Sequence, residues 1–207
     1  MSSTRERILT AARELIEQDS GAAPNVSAIA RAVGISRQAL YLHFPDRASL
    51  LLALVAHVDE HEDLQAGLAA VAAAPDAGAQ IRAWAGMQSE RNPRIAPLAR
   101  ALDRVRHEDE PVAQAWRDRT DGRMRGAVGI VERLRKEGRL HPSWTSEEAA
   151  ALLWELTSFR VWDDLVNELG LAANRYVEVV TAAALAALAS PVGSPADTKP
   201  ARGSITA

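Results

Sequence analysis

Gly34 constrains this chain more than any other position. It stands between two apolar patterns of helical period, each too short to hold as a helix alone. Ahead of it Ile29, Ala30 and Val33 recur at helical spacing, and after it Leu40 and Phe44 lie four apart. Helices of one to two turns are marginal in water and persist only by packing. A glycine supplies the left-handed backbone that a tight turn between them needs. The two segments are therefore predicted to cross, with Ala30 small enough for close approach and Ile35 plugging the turn. Ser36 caps the second helix. Its outer face then carries Arg37, Gln38, Tyr41 and, obliquely, Leu42 and His43. Two readings stay open on this pattern: a helix-turn-helix that presents those side chains to a partner, and a plain helical hairpin with a polar surface.

Helix signals recur through the rest of the chain and strand signals do not. Ser3 and Glu6 form a capping box ahead of a first amphipathic helix that breaks at Gly21 to Pro24. Asn25 caps the second helix. Pro45-Asp46 stops the third and caps a fourth, read as one long helix to about Ala73. Pro75-Asp76 opens a helix to about Glu90. The segment "RNPRIAP", 91–97, reads as a breaker, because an interior proline removes a donor and clashes with the preceding turn. A further helix follows to about Glu108. Pro111 suits the start of another, which runs to Lys136 or Glu137 and ends at Gly138, with Gly122, Gly126 and Gly129 inside it and a kink expected near Asp121-Gly122. Thr145 to Glu148 is a second capping box, opening a helix to Gly170, and a last helix covers about 172–189. The expectation is an all-α chain of about nine helices. It divides into a helix-turn-helix domain at 1–50, a helical effector-binding and dimerisation domain at 51–190, and a disordered tail at 191–207, where proline, glycine and serine replace apolar residues.

Composition removes several function classes. There are no cysteines, which excludes disulfides, thiolate metal sites and cysteine nucleophiles. The N-terminal segment is charged and has no apolar signal core, and no apolar run is long enough to span a bilayer, so a cytoplasmic protein without a membrane partner is expected. The net charge of −3 argues against nucleic acid at first sight, but it is uneven: residues 1–50 carry +1 and residues 51–207 carry −4. Between 24 and 50 only Asp46 opposes Arg31, Arg37 and Arg47, and a binding face is a local property. No nucleophile elbow, phosphate loop or dinucleotide fingerprint is present, so no catalytic residue and no cofactor is assigned. One enzyme-like motif remains. "HVDEH", 57–61, places His57 and His61 four apart on a helix face with Glu60 between them, the H-x-x-E-H arrangement of a class of zinc peptidases. No third ligand is evident downstream, and a solvated polar face or a non-catalytic metal site fits the same residues.

The outer face of the third helix suits DNA. An arginine donates two hydrogen bonds to guanine and a glutamine pairs with adenine in the major groove. Tyrosine hydroxyl, histidine and Arg47 suit phosphate oxygens, which fix register without reading sequence. "NVSAIARAVGISRQALYLHFPDRASLL" resembles the N-terminal signature of the TetR family of transcriptional regulators, through Ile29-Ala30, Val33 to Ser36, Leu40-Tyr41, His43-Phe44 and Leu50-Leu51. Departures are Asn25 for the usual threonine, Arg47 for the usual lysine and Ala48 for the usual glutamate. The resemblance implies that Arg37, Gln38, Ala39 and Leu42 face base edges. It implies that Asn25, Ser27, Ser36, Tyr41, His43 and Arg47 hold phosphates. It also implies a homodimer, formed through the last two helices, that represses from a palindromic double-stranded operator and is released by a small-molecule effector. In the last helix the alanines from Ala182 to Ala187, with Leu185 and Leu188, suit close helix approach, and Tyr176 suits an edge anchor. Candidate walls for the effector are Trp84, Met87 and Gln88; Trp116, Arg119 and Arg123; and Glu155, Ser158, Phe159 and Trp162. Tryptophan on a helix packs in a core more often than it lines a ligand, so these residues have both readings.

Overall fold

The computed structural model describes residues 3–18, 25–61 and 64–190, without the side chains of 59–61, 115 and 119. The expected tail at 191–207 and the expected break at 21–24 lie outside the described residues. The elements are α1 (Thr4–Gln18), α2 (Val26–Val33), α3 (Arg37–His43), α4 (Arg47–His61), α5 (Leu64–Ala73), α6 (Ala77–Val105), α7 (Glu110–Lys136), α8 (Ser146–Leu156), α9 (Phe159–Trp162), a π-helical turn at Asp163–Glu168 and α10 (Ala173–Leu188). The chain is all-α; among the described residues the one β-type contact is an isolated bridge from Leu140 to Ala189. The fourth helix expected through Ala73 is helical on both sides of 62–63, residues that are not described.

Three apolar clusters hold the elements. The first joins α1 to α4 through Ile8, Leu9, Ile16, Ile29, Leu40, Phe44, Leu51 and Leu54, and continues into Ile95, Leu98 and Leu102 of α6 and Val112 of α7. The second packs α6, α7, α8 and α10 around Ile81, Trp84, Val131, Leu134, Leu153 and Leu188. The third lies between α6, α9 and α10, around Ala85, Ala96, Trp162, Tyr176 and Val180. The N-terminal helices therefore share a core with α6, which also packs in the other two clusters against α8, α9 and α10.

Two boundaries differ from the sequence expectation. The breaker at 91–97 is absent: α6 is one 29-residue helix with Pro93 and Pro97 inside it. Each interior proline costs about 3 kcal/mol relative to alanine. Fully burying a leucine or isoleucine contributes about 1.5–3 kcal/mol. Ile95 between the prolines and Leu98 and Leu102 beyond them are all buried, so packing offsets the local cost. The helix expected from 146 to 170 is instead interrupted after Leu156. Thr157 turns its hydroxyl back to donate to the Leu153 carbonyl at 2.8 Å, and the Ser158 Oγ accepts the Val161 N–H and caps α9. The Thr145–Glu148 capping box forms as expected, and Gly138 takes the left-handed conformation at φ 66° after α7.

Candidate nucleic-acid interface

The N-terminal module is built around α3. Asn25 caps α2 by accepting the Ser27 N–H at 2.9 Å. Gly34 ends α2 at φ 75°, the left-handed region in which a side chain is strained, and the Ile35 N–H donates to the Ala30 carbonyl across the turn. Arg7 of α1 donates to the Val33 carbonyl at 2.6 Å and so satisfies a carbonyl at the end of α2. Ser36 accepts the Ala39 N–H at 3.1 Å and starts α3. Leu40 and Phe44 are buried at 1% and 2% exposure, and the Arg5 guanidinium lies 5.2 Å from the Phe44 ring centre. At the far end Asp46 and Ser49 exchange hydrogen bonds and cap α4. Arg5 and Arg7 do not stand out in the sequence, because their partners lie on helices distant along the chain.

With one face held down, the other is open. Arg37, Gln38, Tyr41 and Leu42 span roughly 140° of the α3 surface at 100° per residue, and all four are exposed. Leu42 is 87% exposed, the highest value among the exposed large apolar side chains. Ala39 is half-buried, His43 is exposed at the rim, and Arg47 is exposed at the start of α4. Asn25 is exposed and Ser27 half-buried. The Asn25 Oδ1 is engaged in the cap, which leaves its amide N–H groups for an outside acceptor; the Ser36 hydroxyl likewise accepts within the chain and keeps its proton to donate.

Residues 8–54 match the family model described as bacterial regulatory proteins, tetR family. Over these residues the N-terminal module is similar to that of TetR-family regulators. Curated relatives match over the same region: the nucleoid occlusion factor SlmA of Marinobacter nauticus is 40% identical over 58 residues, and that of Vibrio cholerae is 40% identical over 57. These alignments span 28% and 27% of this chain and only 30% and 29% of those proteins. Solved structures align along nearly the whole fold. A regulator from Saccharomonospora viridis in complex with choline superposes at a TM-score of 0.72 and 15% identity, over 90% of this chain and 98% of that one. FadR from Bacillus subtilis in complex with stearoyl-CoA gives 0.69 and 16%, over 86% and 96%. Native NalD, a secondary repressor of a multidrug efflux pump in Pseudomonas aeruginosa, gives 0.63 and 21%, over 90% and 97%. At these identities the likeness is one of fold, and it includes the C-terminal helices.

The candidate effector residues are distributed unevenly. Trp84 lies over Gly126 in the second cluster, and its Nε1–H donates to the Thr157 Oγ1 at 3.1 Å. Met87 lies beside Gly67, and Gln88 is buried on α6. Trp116 stands apart from the other candidates: it packs on the first cluster, with Arg106 5.1 Å over its ring. The Arg119 side chain lies outside the described residues. Arg123 donates to the Trp154 carbonyl at 2.6 Å and stacks 5.2 Å from the Trp154 ring centre. Glu155 is exposed, while Ser158 is buried as the cap of α9. Phe159 and Trp162 pack with ring centres 5.8 Å apart in the third cluster. Tyr176, expected at an edge, is fully buried in that cluster, because α10 turns it toward α6 and α9. Asn92, Ser89 and Thr181 are also buried and polar. Asn92 was hidden in the sequence by its place in the supposed breaker. His57 is half-buried on α4, and the His61 side chain is not described. Among the described residues no three acidic or histidine side chains gather as a metal site, and no single helix is long and apolar enough to cross a membrane.

Proposed function

We propose that this chain is a ligand-responsive, DNA-binding transcriptional repressor that acts as a homodimer on a palindromic operator. The observation that carries this reading is the open face of α3: Arg37, Gln38, Tyr41 and an 87%-exposed Leu42 project outward while Leu40 and Phe44 anchor the helix. An exposed leucine beside an arginine and a glutamine has no packing role in the chain, and it suits a thymine methyl in the major groove. Arg37 and Gln38 read bases, with Ala39 and Leu42 as apolar contacts. Tyr41, His43, Arg47, Ser27, Ser36 and the Asn25 amide hold phosphates. Residues 1–50 form the DNA-binding domain and 51–190 the effector and dimerisation domain. The dimer forms through α8 and α10, where Val179, Ala182, Ala183 and Ala186 are exposed on one face of α10. Two modules then place their recognition helices about 34–36 Å apart, one turn of DNA.

The switch runs through α6. Its residues Ile95, Leu98 and Leu102 lie in the core of the DNA-binding module, while Ala85 and Ala96 face the interior between α9 and α10. An effector that favours one position of α6 changes the spacing of the recognition helices, by as much as its affinity differs between the two states. The test is an electrophoretic shift on the DNA upstream of the protein's own gene. Arg37→Ala with Gln38→Ala should abolish the specific shift and leave weak sequence-independent binding, with circular dichroism unchanged. A specific shift that survives both substitutions refutes the assignment of α3 as the reading helix.

A further inference from the structure

We infer that the effector is an amphipathic anion, an apolar body ending in a carboxylate or phosphate ester, with its charged head on Arg123 among Tyr176, Asn92 and Trp162. The inference rests on the effector-responsive reading above and names the chemistry of that site. Four elements contribute buried polar atoms that have no hydrogen-bond partner among the described residues: the Asn92 Nδ2 from α6, the Arg123 Nε from α7, the Trp162 Nε1 from α9, and the Tyr176 and Thr181 hydroxyls from α10. Asn92, Trp162 and Thr181 are each 2% exposed and Tyr176 is fully buried. The first three atoms are obligate donors: an indole N–H, a guanidinium N–H and an amide NH2 cannot accept. Native interiors leave few such groups unmade, since each carries its full desolvation penalty.

These groups share one region. Trp162 and Tyr176 belong to the third cluster, together with Ala85 and Ala96 of α6. Asn92 lies on the same helix face as those alanines, seven residues after Ala85 and four before Ala96. Tyr176 is close enough to Arg123 for each to act on the other's ionisation.

The charge balance selects an anion. Arg123 meets a carbonyl and an aromatic ring, and the acidic group acting on it is Glu155, an exposed side chain. A second guanidinium, Arg91, repels it. Burial pushes Arg123 down to about 10, with Tyr176 and Glu155 opposing that fall, so the group is still a cation at neutral pH. A desolvated cation beside unmade donors is stabilised by a guest that brings negative charge and several acceptors. The surroundings of the head are apolar, with Phe159, Leu165, Val166 and Leu171 packed on the cluster, so the rest of the guest is hydrocarbon-like. The same charge disfavours a quaternary ammonium such as the choline bound by the Saccharomonospora viridis relative.

The test is calorimetric titration of the full chain with four probes of one chain length: decanoate, decyl phosphate, decanol and decyltrimethylammonium. At least one anion should bind about tenfold or more tighter than decanol, as a charge-assisted hydrogen bond gives, with the ammonium weakest. The preferred anion distinguishes a carboxylate from a phosphate head. Arg123→Met should remove most of the anion preference, and Tyr176→Phe should weaken the anion severalfold, both with helical content intact by circular dichroism. Equal binding of alcohol and anions, preference for the ammonium, no binding of any probe up to about 1 mM, or an Arg123→Met variant with unchanged selectivity would overturn the inference. A specific DNA shift without anion preference removes only the effector class, whereas anion binding without any specific DNA shift removes only the regulator reading.

Discussion

Gly126→Ala should destabilise the protein, although alanine is the better helix former. A Cβ at 126 would stand 2.3 Å from Cη2, 2.7 Å from Cζ3 and 3.1 Å from Cζ2 of Trp84. Carbon atoms prefer separations of about 3.5–4.0 Å, so ring or helix must move by more than an ångström. The ring has little room to yield: Trp84 is 3% exposed, and its Nε1–H is tied to the Thr157 Oγ1 at 3.1 Å. Overpacking a core costs about 1–3 kcal/mol. Breaking the buried hydrogen bond adds about 1–3 kcal/mol, and the helix propensity of alanine returns about 1 kcal/mol. The net loss is about 3 kcal/mol, which for a chain of this size lowers Tm by about 6–12 °C. Urea unfolding followed at once by circular dichroism and tryptophan fluorescence measures it. Gly129→Ala is the control. It lies three residues on in the same helix, is exposed, and has open space where its Cβ would go, so it should stabilise by about 1 kcal/mol. In a Trp84→Phe background the smaller ring should make Gly126→Ala neutral or better. The steric argument fails if Gly126→Ala and Gly129→Ala shift stability in the same direction, or if Trp84→Phe does not relieve the first.

Arg47→Ala should weaken DNA binding by a similar factor on every sequence and lower the slope of log affinity against log salt by about 0.9, as loss of one phosphate contact does; filter binding at several salt concentrations reads both. Pro93 is exposed inside α6, and Pro93→Ala restores a donor toward the Ser89 carbonyl, so it should stabilise the chain by about 1–3 kcal/mol, seen as a higher urea midpoint. Asp163 links the π-helical turn to α6: Arg100 forks onto it, with Nε to Oδ2 at 2.9 Å, and Asn167 donates to its Oδ1 at 2.7 Å. Burial pushes the Asp163 carboxyl up, but the hydrogen bonds from Arg100 and Asn167 and the Arg100 charge together hold it below its ordinary value of 3.8. A depressed folded value gives stability that is present above the unfolded pKa and lost as pH falls through the folded one. Asp163→Asn should therefore be less stable than wild type at pH 7, and the gap should close on acidification below about pH 4; a gap that is constant with pH would falsify the pairing.

The features legible in the sequence are those fixed within a few residues. Gly34, Ser36, Asn25, the Thr145–Glu148 box and Gly138 all act through hydrogen bonds or backbone angles that span at most six positions, and each stands as expected. The buried and exposed faces of α3 follow from its period alone. The features that escaped depend on partners far along the chain. Pro93 and Pro97 read as a breaker because local chemistry says so; only packing of Ile95, Leu98 and Leu102 on the N-terminal core reverses it. The break after Leu156 depends on Thr157, whose hydroxyl also receives the indole N–H of Trp84, 73 residues away. Trp116, grouped by spacing with Arg123, packs on a different cluster, and Asn92 and Tyr176 emerge as buried polar groups only when α6, α9 and α10 close around them. The sequence by itself determined the helices' caps, the turn at Gly34 and the face that α3 shows to solvent, because those are short-range. Tertiary structure alone decided that α6 is continuous, that it packs against both the N-terminal helices and α10, and that the half-buried Arg123 guanidinium meets the Trp154 carbonyl and ring, because burial is a property of neighbours that sequence distance does not encode.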